Sequence, residues 1–80
     1  MTAALVMPKK KEVVFRCNLQ RMMDERGLTQ VALSEATGLS IATIRNLCRS
    51  NFSRIDCKTT ADLMLYFDCE FSDLFEVSKR

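Results

Sequence analysis

The chain predicts a compact, mainly α-helical domain of four to five short helices, with room for a short terminal strand pair. Three observations carry this expectation. Apolar residues recur at helical spacing in successive short segments. Those segments are punctuated by cap-forming residues before them (Asn18, Thr29, Ser40, Asp56, Ser72) and by Gly27 and Gly38 after the first two. Finally, 80 residues of which 48% are hydrophobic suffice for one small core and no second.

Residues 1–12, MTAALVMPKKKE, read as a flexible basic arm, interrupted at Pro8 and extended by repulsion among Lys9, Lys10 and Lys11. Such an arm is either a solubilising tail or a strip that lies along phosphates. The domain is expected over residues 13–77, with 78–80 as a tail. Val13 to Cys17 alternates apolar and polar, which favours a short strand, although Phe15, Leu19 and Met22 also fit a helical period. A helix follows from Asn18, its cap, to Arg26, with Leu19, Met22 and Met23 as its buried stripe and Gly27 as its stop. Arg16, Arg21 and Arg26 read as surface charges.

The centre of the chain is Thr29 to Arg49, two short helices joined at Thr37-Gly38-Leu39. Thr29 caps the first and Ser40 the second, and Gly38 lies where only a residue without a Cβ turns left-handed cheaply. Leu33 and Ala36 are expected to face inward, Leu39 to fill the corner, and Ile44 and Leu47 to anchor the second helix. A turn this short between two such helices is the helix-turn-helix pattern. On the second helix Ile44, Leu47 and Thr43 fall on one side, with Cys48 at the margin. Ile41, Ala42, Arg45, Asn46 and Arg49 gather on the other. That outer face carries no acid; it is either an ordinary solvated surface or one suited to a DNA major groove. There Arg bonds guanine, Asn bonds adenine, and Ile or Ala meets a thymine methyl.

SNFSRID then forms a polar loop anchored by Phe52 and Ile55, whose Asn51, Ser53 and Arg54 are either solvated or directed at a DNA backbone. Asp56 caps a helix to about Phe67. Its run Leu63-Met64-Leu65-Tyr66-Phe67 is apolar on nearly every side, so it is either deeply packed or partly covered by a second copy of the chain. A brief last helix, capped by Ser72, brings Phe71, Leu74 and Phe75 to the core. Glu76-Val77 extends to pair with Val13 to Cys17.

Charge is unevenly placed although the net is only +2. Residues 1–27 carry net +3, residues 28–54 net +2 and residues 55–80 net −3. One face directed at an anionic partner is implied. Cys17, Cys48, Cys57 and Cys69 lack the close pairing of zinc ligands, and histidine is absent, so no metal and no cofactor is expected. The cysteines read as reduced small hydrophobes in a cytoplasmic protein. Ala3 to Met7 is too short to span a membrane, and its lysines follow it, so neither a span nor a signal peptide is expected.

On the stretches CNLQRMMDERGLTQ, LSEATGLSIATIRNL and IDCKTTADLMLYFDCEFSDLFEV, the chain resembles the Cro and lambda repressor-like helix-turn-helix proteins, the XRE family. The resemblance runs from about Val14 to Val77. It implies a four- or five-helix DNA-binding regulator that is commonly dimeric on two half-sites. Gln30 then matches the family's phosphate-contacting glutamine. Ser40, Ile41, Ala42 and Asn46 match positions that face base edges, with Arg45 beside them, and Arg49 matches a polar residue that returns to phosphate. Ser34 stands where alanine is commonest, and Cys48 and Arg49 where Glu and Asn are frequent. These departures make operator preference untransferable.

The functional expectation is a sequence-specific transcriptional regulator whose partners are double-stranded DNA and a second copy of itself, with no small-molecule substrate. The alternative is a protein-interaction component of antitoxin or anti-repressor type on the same fold, motivated by the apolar fourth helix. Catalysis is not expected, because there is no histidine, no glycine-rich phosphate loop and no cysteine paired with a base. A thiol redox sensor would require exposed cysteines of lowered pKa.

Overall fold

The computed structural model describes residues 12–79. The basic arm expected over residues 1–12 lies, apart from Glu12, outside them. In chain order the elements are β1 (Val13–Cys17), α1 (Leu19–Arg26), α2 (Gln30–Thr37), α3 (Ile41–Cys48), α4 (Cys57–Phe67), α5 (Phe71–Leu74) and β2 (Phe75–Lys79). The mainly helical architecture and the terminal strand pair are both present. The strands are antiparallel, with Val13 opposite Lys79, Phe15 opposite Val77 and Cys17 opposite Phe75. β2 therefore runs through Lys79, and Ser78 and Lys79 belong to the ribbon rather than to a tail. Their polar side chains hide this from a pattern reading, since backbone pairing does not require apolar residues at an edge.

One core joins all the helices. Leu19, Met23, Leu33, Ile44, Leu63, Phe67 and Leu74 are fully enclosed, with Cys17, Leu47 and Phe75 nearly so. Each helix contributes one or two of these, spaced by three or four residues where there are two, as an amphipathic stripe requires. Apolar burial on this scale, at roughly 25 cal/mol per Å², is the main stabilising term.

Several expectations need correcting. Asn18 precedes α1 but its side chain does not cap it: the backbone sits at ψ 13°, and the amide instead donates to the Asp73 carbonyl (3.1 Å). Ala36 is exposed, because the last turn of α2 leaves the core and borders an open groove with Asp62, Leu65 and Tyr66. α5 begins after Glu70 rather than Ser72. The Glu70 N–H donates to the Asp73 carboxylate (2.9 Å), which closes the first turn two residues earlier. In so short a helix only Leu74 points inward, so Phe71 stays 47% exposed and lies against the Phe75 ring at 5.1 Å. Cys57 is exposed on the first turn of α4, unlike buried Cys17 and half-buried Cys48 and Cys69. Arg26, read as a surface charge, holds the end of α4: its Nη2 donates to the Phe67 carbonyl (2.9 Å), and its guanidinium lies 4.8 Å from the Phe67 ring centroid.

Candidate nucleic-acid interface

The α2–α3 pair is fixed by side-chain oxygens. Thr29 Oγ1 accepts from the Ala32 N–H (3.0 Å), and Ser40 Oγ accepts from the Thr43 N–H (3.1 Å), so both helices carry the expected caps. Gly38 adopts φ 79° and its N–H closes α2 on the Ser34 carbonyl (2.8 Å). The turn is braced further by bonds the pattern did not announce. Ser34 Oγ donates to the Leu39 carbonyl (2.6 Å), and Thr37 Oγ1 donates to the Leu33 carbonyl (2.7 Å) while accepting from the Leu39 N–H (3.3 Å). Ser34, where alanine is commonest in the family it resembles, thus locks the corner that aims α3. A hydroxyl five residues before its acceptor, across a turn, was the available signal.

With Ile44 and Leu47 buried, helical geometry forces the opposite face of α3 outward. Ser40, Ala42, Arg45, Asn46 and Arg49 are exposed, and Ile41 stands at 36% exposure. No other element covers this face. Among the described residues, Arg45, Asn46, Arg49, Asn51 and Arg54 make no side-chain hydrogen bond or ion pair, so their polar groups are available. Ser40 is different. Its hydroxyl donates to Thr43 Oγ1 (2.8 Å) while accepting from the Thr43 N–H, which leaves one lone pair and no donor.

The exit from α3 is a full left-handed stop: the Ser50 N–H bonds the Leu47 carbonyl (3.0 Å) and the Asn51 N–H bonds the Asn46 carbonyl (2.8 Å), with Ser50 at φ 54°. This reversal folds the following loop back against the helix. Asn46 consequently shares the rim of a cavity of about 470 Å³ with Asn51, Ser53 and Arg54, floored by Leu47 and Phe75. Four of the expected contact residues are thereby brought together. Gln30, half-buried at the start of α2, does not line this cavity. Asp56 does, and sequence reading gave it only a capping role. Its carboxylate accepts from the Thr59 N–H (2.8 Å), and that bond holds its pKa below the usual value. This exposed carboxylate borders the same cavity, so the Arg54 side of the rim is the favourable place for an anion.

No cluster of three or more metal-ligating side chains occurs among the described residues, and none of their helices is long and apolar enough to cross a membrane. The two inner thiols sit close to the site's supporting core. The Cys48 thiol donates to Met23 Sδ (3.7 Å), and burial first, then Asp24, raises its pKa. Burial pushes the Cys17 thiol up to about 11.

This fold and this exposed helix define a helix-turn-helix DNA-binding domain. The family model for the Cro/C1-type HTH DNA-binding domain matches residues 18–80, and the chain belongs to that family. Among solved structures it is similar to the transcriptional regulator VanUg, at 20% identity and a TM-score of 0.67. That similarity covers 94% of this chain and 99% of the other, and shows a shared fold. Comparison with curated proteins finds no match.

Proposed function

We propose that this protein is a sequence-specific transcriptional regulator, cytoplasmic and dimeric, that inserts α3 into the DNA major groove. The observation that carries the reading is the uncovered, acid-free outer face of α3, whose polar side chains have no internal partners. Arg45 and Asn46 supply the bidentate donors and acceptors that discriminate base pairs, and Ile41 and Ala42 supply contacts for a thymine methyl. Ser40, left with a single acceptor, is suited to the amino group of adenine or cytosine. Gln30, Arg49, Asn51, Ser53 and Arg54 hold phosphates on either side and set the register. One such module touches few base pairs, so a second copy supplies the missing affinity, on half-sites about 34 Å apart. No catalysis and no cofactor enter this reading.

The test is selection of duplexes from a random library, followed by titration of an Asn46→Ala variant. Specific binding is expected to weaken by ~1–3 kcal/mol with non-specific binding unchanged. Equal losses on selected and random duplexes would remove Asn46 from base reading, and failure to enrich any sequence would remove the function.

One observation favours a second reading, a protein-binding component of antitoxin or anti-repressor type. Leu65 on α4 is 81% exposed beside Tyr66, far more than an isolated surface helix requires. A chain that sediments unchanged with duplex at low salt would support that role instead.

A further inference from the structure

We propose that the cavity between α3, the loop after it and the start of α4 is an effector site for a small aromatic monocarboxylate bearing a ring hydroxyl, and that this ligand competes with DNA. The site stands apart from duplex reading; its regulatory consequence rests on that reading. At about 470 Å³ the cavity falls within the range of small-molecule sites. Leu47 and Phe75 floor it, and Phe52 lies edge-on to Phe75 with ring centroids 5.7 Å apart. Thr60, on α4, points to a ligand most directly. It is the buried polar residue among those described, at 7% exposure. A helical threonine commonly turns its hydroxyl back to the carbonyl four residues earlier, as Thr37 does to Leu33 (2.7 Å). The Thr60 hydroxyl makes no such bond, nor any other among the described residues. That oxygen is not sealed in either, because no enclosed side-chain oxygen or nitrogen lacks a partner. It therefore opens onto free space. Thr60 borders two hollows, and the other, shared with Cys57, Ala61, Met64 and Phe71, is almost wholly apolar. The polar cavity is thus where this hydroxyl meets a partner.

The lining selects the ligand's chemistry. Arg54 offers a planar guanidinium with no internal partner, which a carboxylate meets through two parallel bonds. It is the one cation of the lining, and the Asp56 carboxylate stands on the same rim. A second negative charge on the ligand, as on a phosphate monoester, would add repulsion from Asp56 with no further cation to offset it. One carboxylate is the better fit. Between rim and floor, the Phe52 and Phe75 rings favour a flat aromatic body. At the buried end Thr60 supplies a hydroxyl that both donates and accepts, which a phenolic hydroxyl matches. The cavity shares its rim with the reading surface, since Asn46 and Arg54 are residues assigned above to a base edge and a phosphate. A carboxylate held by Arg54 withdraws that cation from the duplex, so each ligand weakens the binding of the other.

The test is titration of the full chain, without DNA, with para-hydroxyphenylacetate and with phenylacetate, followed by amide NMR shifts. Both acids should saturate, with shifts centred on Leu47, Phe52, Thr60 and Phe75. The hydroxylated acid should bind about threefold or more tighter. Thr60→Val removes a hydroxyl that bonds nothing within the protein, so thermal unfolding and duplex affinity should not change. It should abolish the preference for para-hydroxyphenylacetate and leave phenylacetate affinity as it was. Arg54→Gln, on the exposed rim, should weaken both acids about fivefold or more. In the wild type, para-hydroxyphenylacetate should lower affinity for a selected duplex. Shifts that fail to saturate by about 20 mM would overturn the proposal, as would shifts centred elsewhere. Equal affinities for the two acids, or a preference that survives Thr60→Val, would do the same. So would acid affinities indifferent to Arg54→Gln, however the Thr60 variant folds, and saturation that leaves duplex affinity unchanged. Saturable binding by a chain that enriches no duplex would keep the site and reject the regulatory function. A duplex-binding chain that takes up neither acid would reject the site alone.

Discussion

Individual side chains show why identical residue types play unlike parts. Cys17 is enclosed by the ribbon and α1 and its thiol stays protonated to about 11, whereas Cys57 faces solvent on α4. A maleimide at neutral pH should therefore label Cys57 well before Cys17, read by mass spectrometry of peptides. The sign of the accompanying pH effect follows from the same burial. The folded thiol of Cys17 ionises above its ordinary 9.0, so its share of stability is intact below pH 9 and is lost as pH rises towards 11. Chemical denaturation across that interval should show falling stability. At this scale the sequence was only partly legible. The caps at Thr29, Ser40 and Asp56 announce themselves because their acceptors lie three residues away. The Arg26 bond to Phe67 does not, since 41 residues separate them and nothing local marks the pair.

At the scale of elements, α3 depends on how firmly the turn before it is built. Ser40→Ala removes the acceptor for the Thr43 N–H and the brace to Thr43 Oγ1; thermal unfolding should report a loss of about 1 kcal/mol. Gly38→Ala leaves space for the new methyl but forces an L-residue to φ 79°, costing roughly 1–2 kcal/mol. Both substitutions should also misaim α3 and weaken duplex binding beyond the stability change. The helices were legible because each carries a cap and an apolar period. The last turn was not: α5 is too short to have a period, so Ser72 looked like its cap and Phe71 like core. β1 was legible from alternation, while the far end of β2 was masked by serine and lysine.

Taken whole, the molecule separates its charges, with a basic front two-thirds and an acidic end. Two cationic phosphate contacts per chain, Arg49 and Arg54, give a dimer about four in the proposed reading. The logarithm of affinity should then fall against the logarithm of salt with a slope of roughly −4. Arg54→Gln should flatten that slope by about two per dimer while leaving sequence preference intact. Fluorescence anisotropy over a salt series measures both.

Ser50 gives one more consequence. It holds a left-handed backbone that glycine would occupy more easily, and its hydroxyl takes the Cys17 N–H from the neighbouring strand. That bond ties β1 to the left-handed stop that follows α3. In the proposed reading, strain placed on the ribbon has through this bond a direct route to the end of α3. Glycine at this site would relax the backbone and remove this linkage together, leaving the shared core as the remaining tie between β1 and α3.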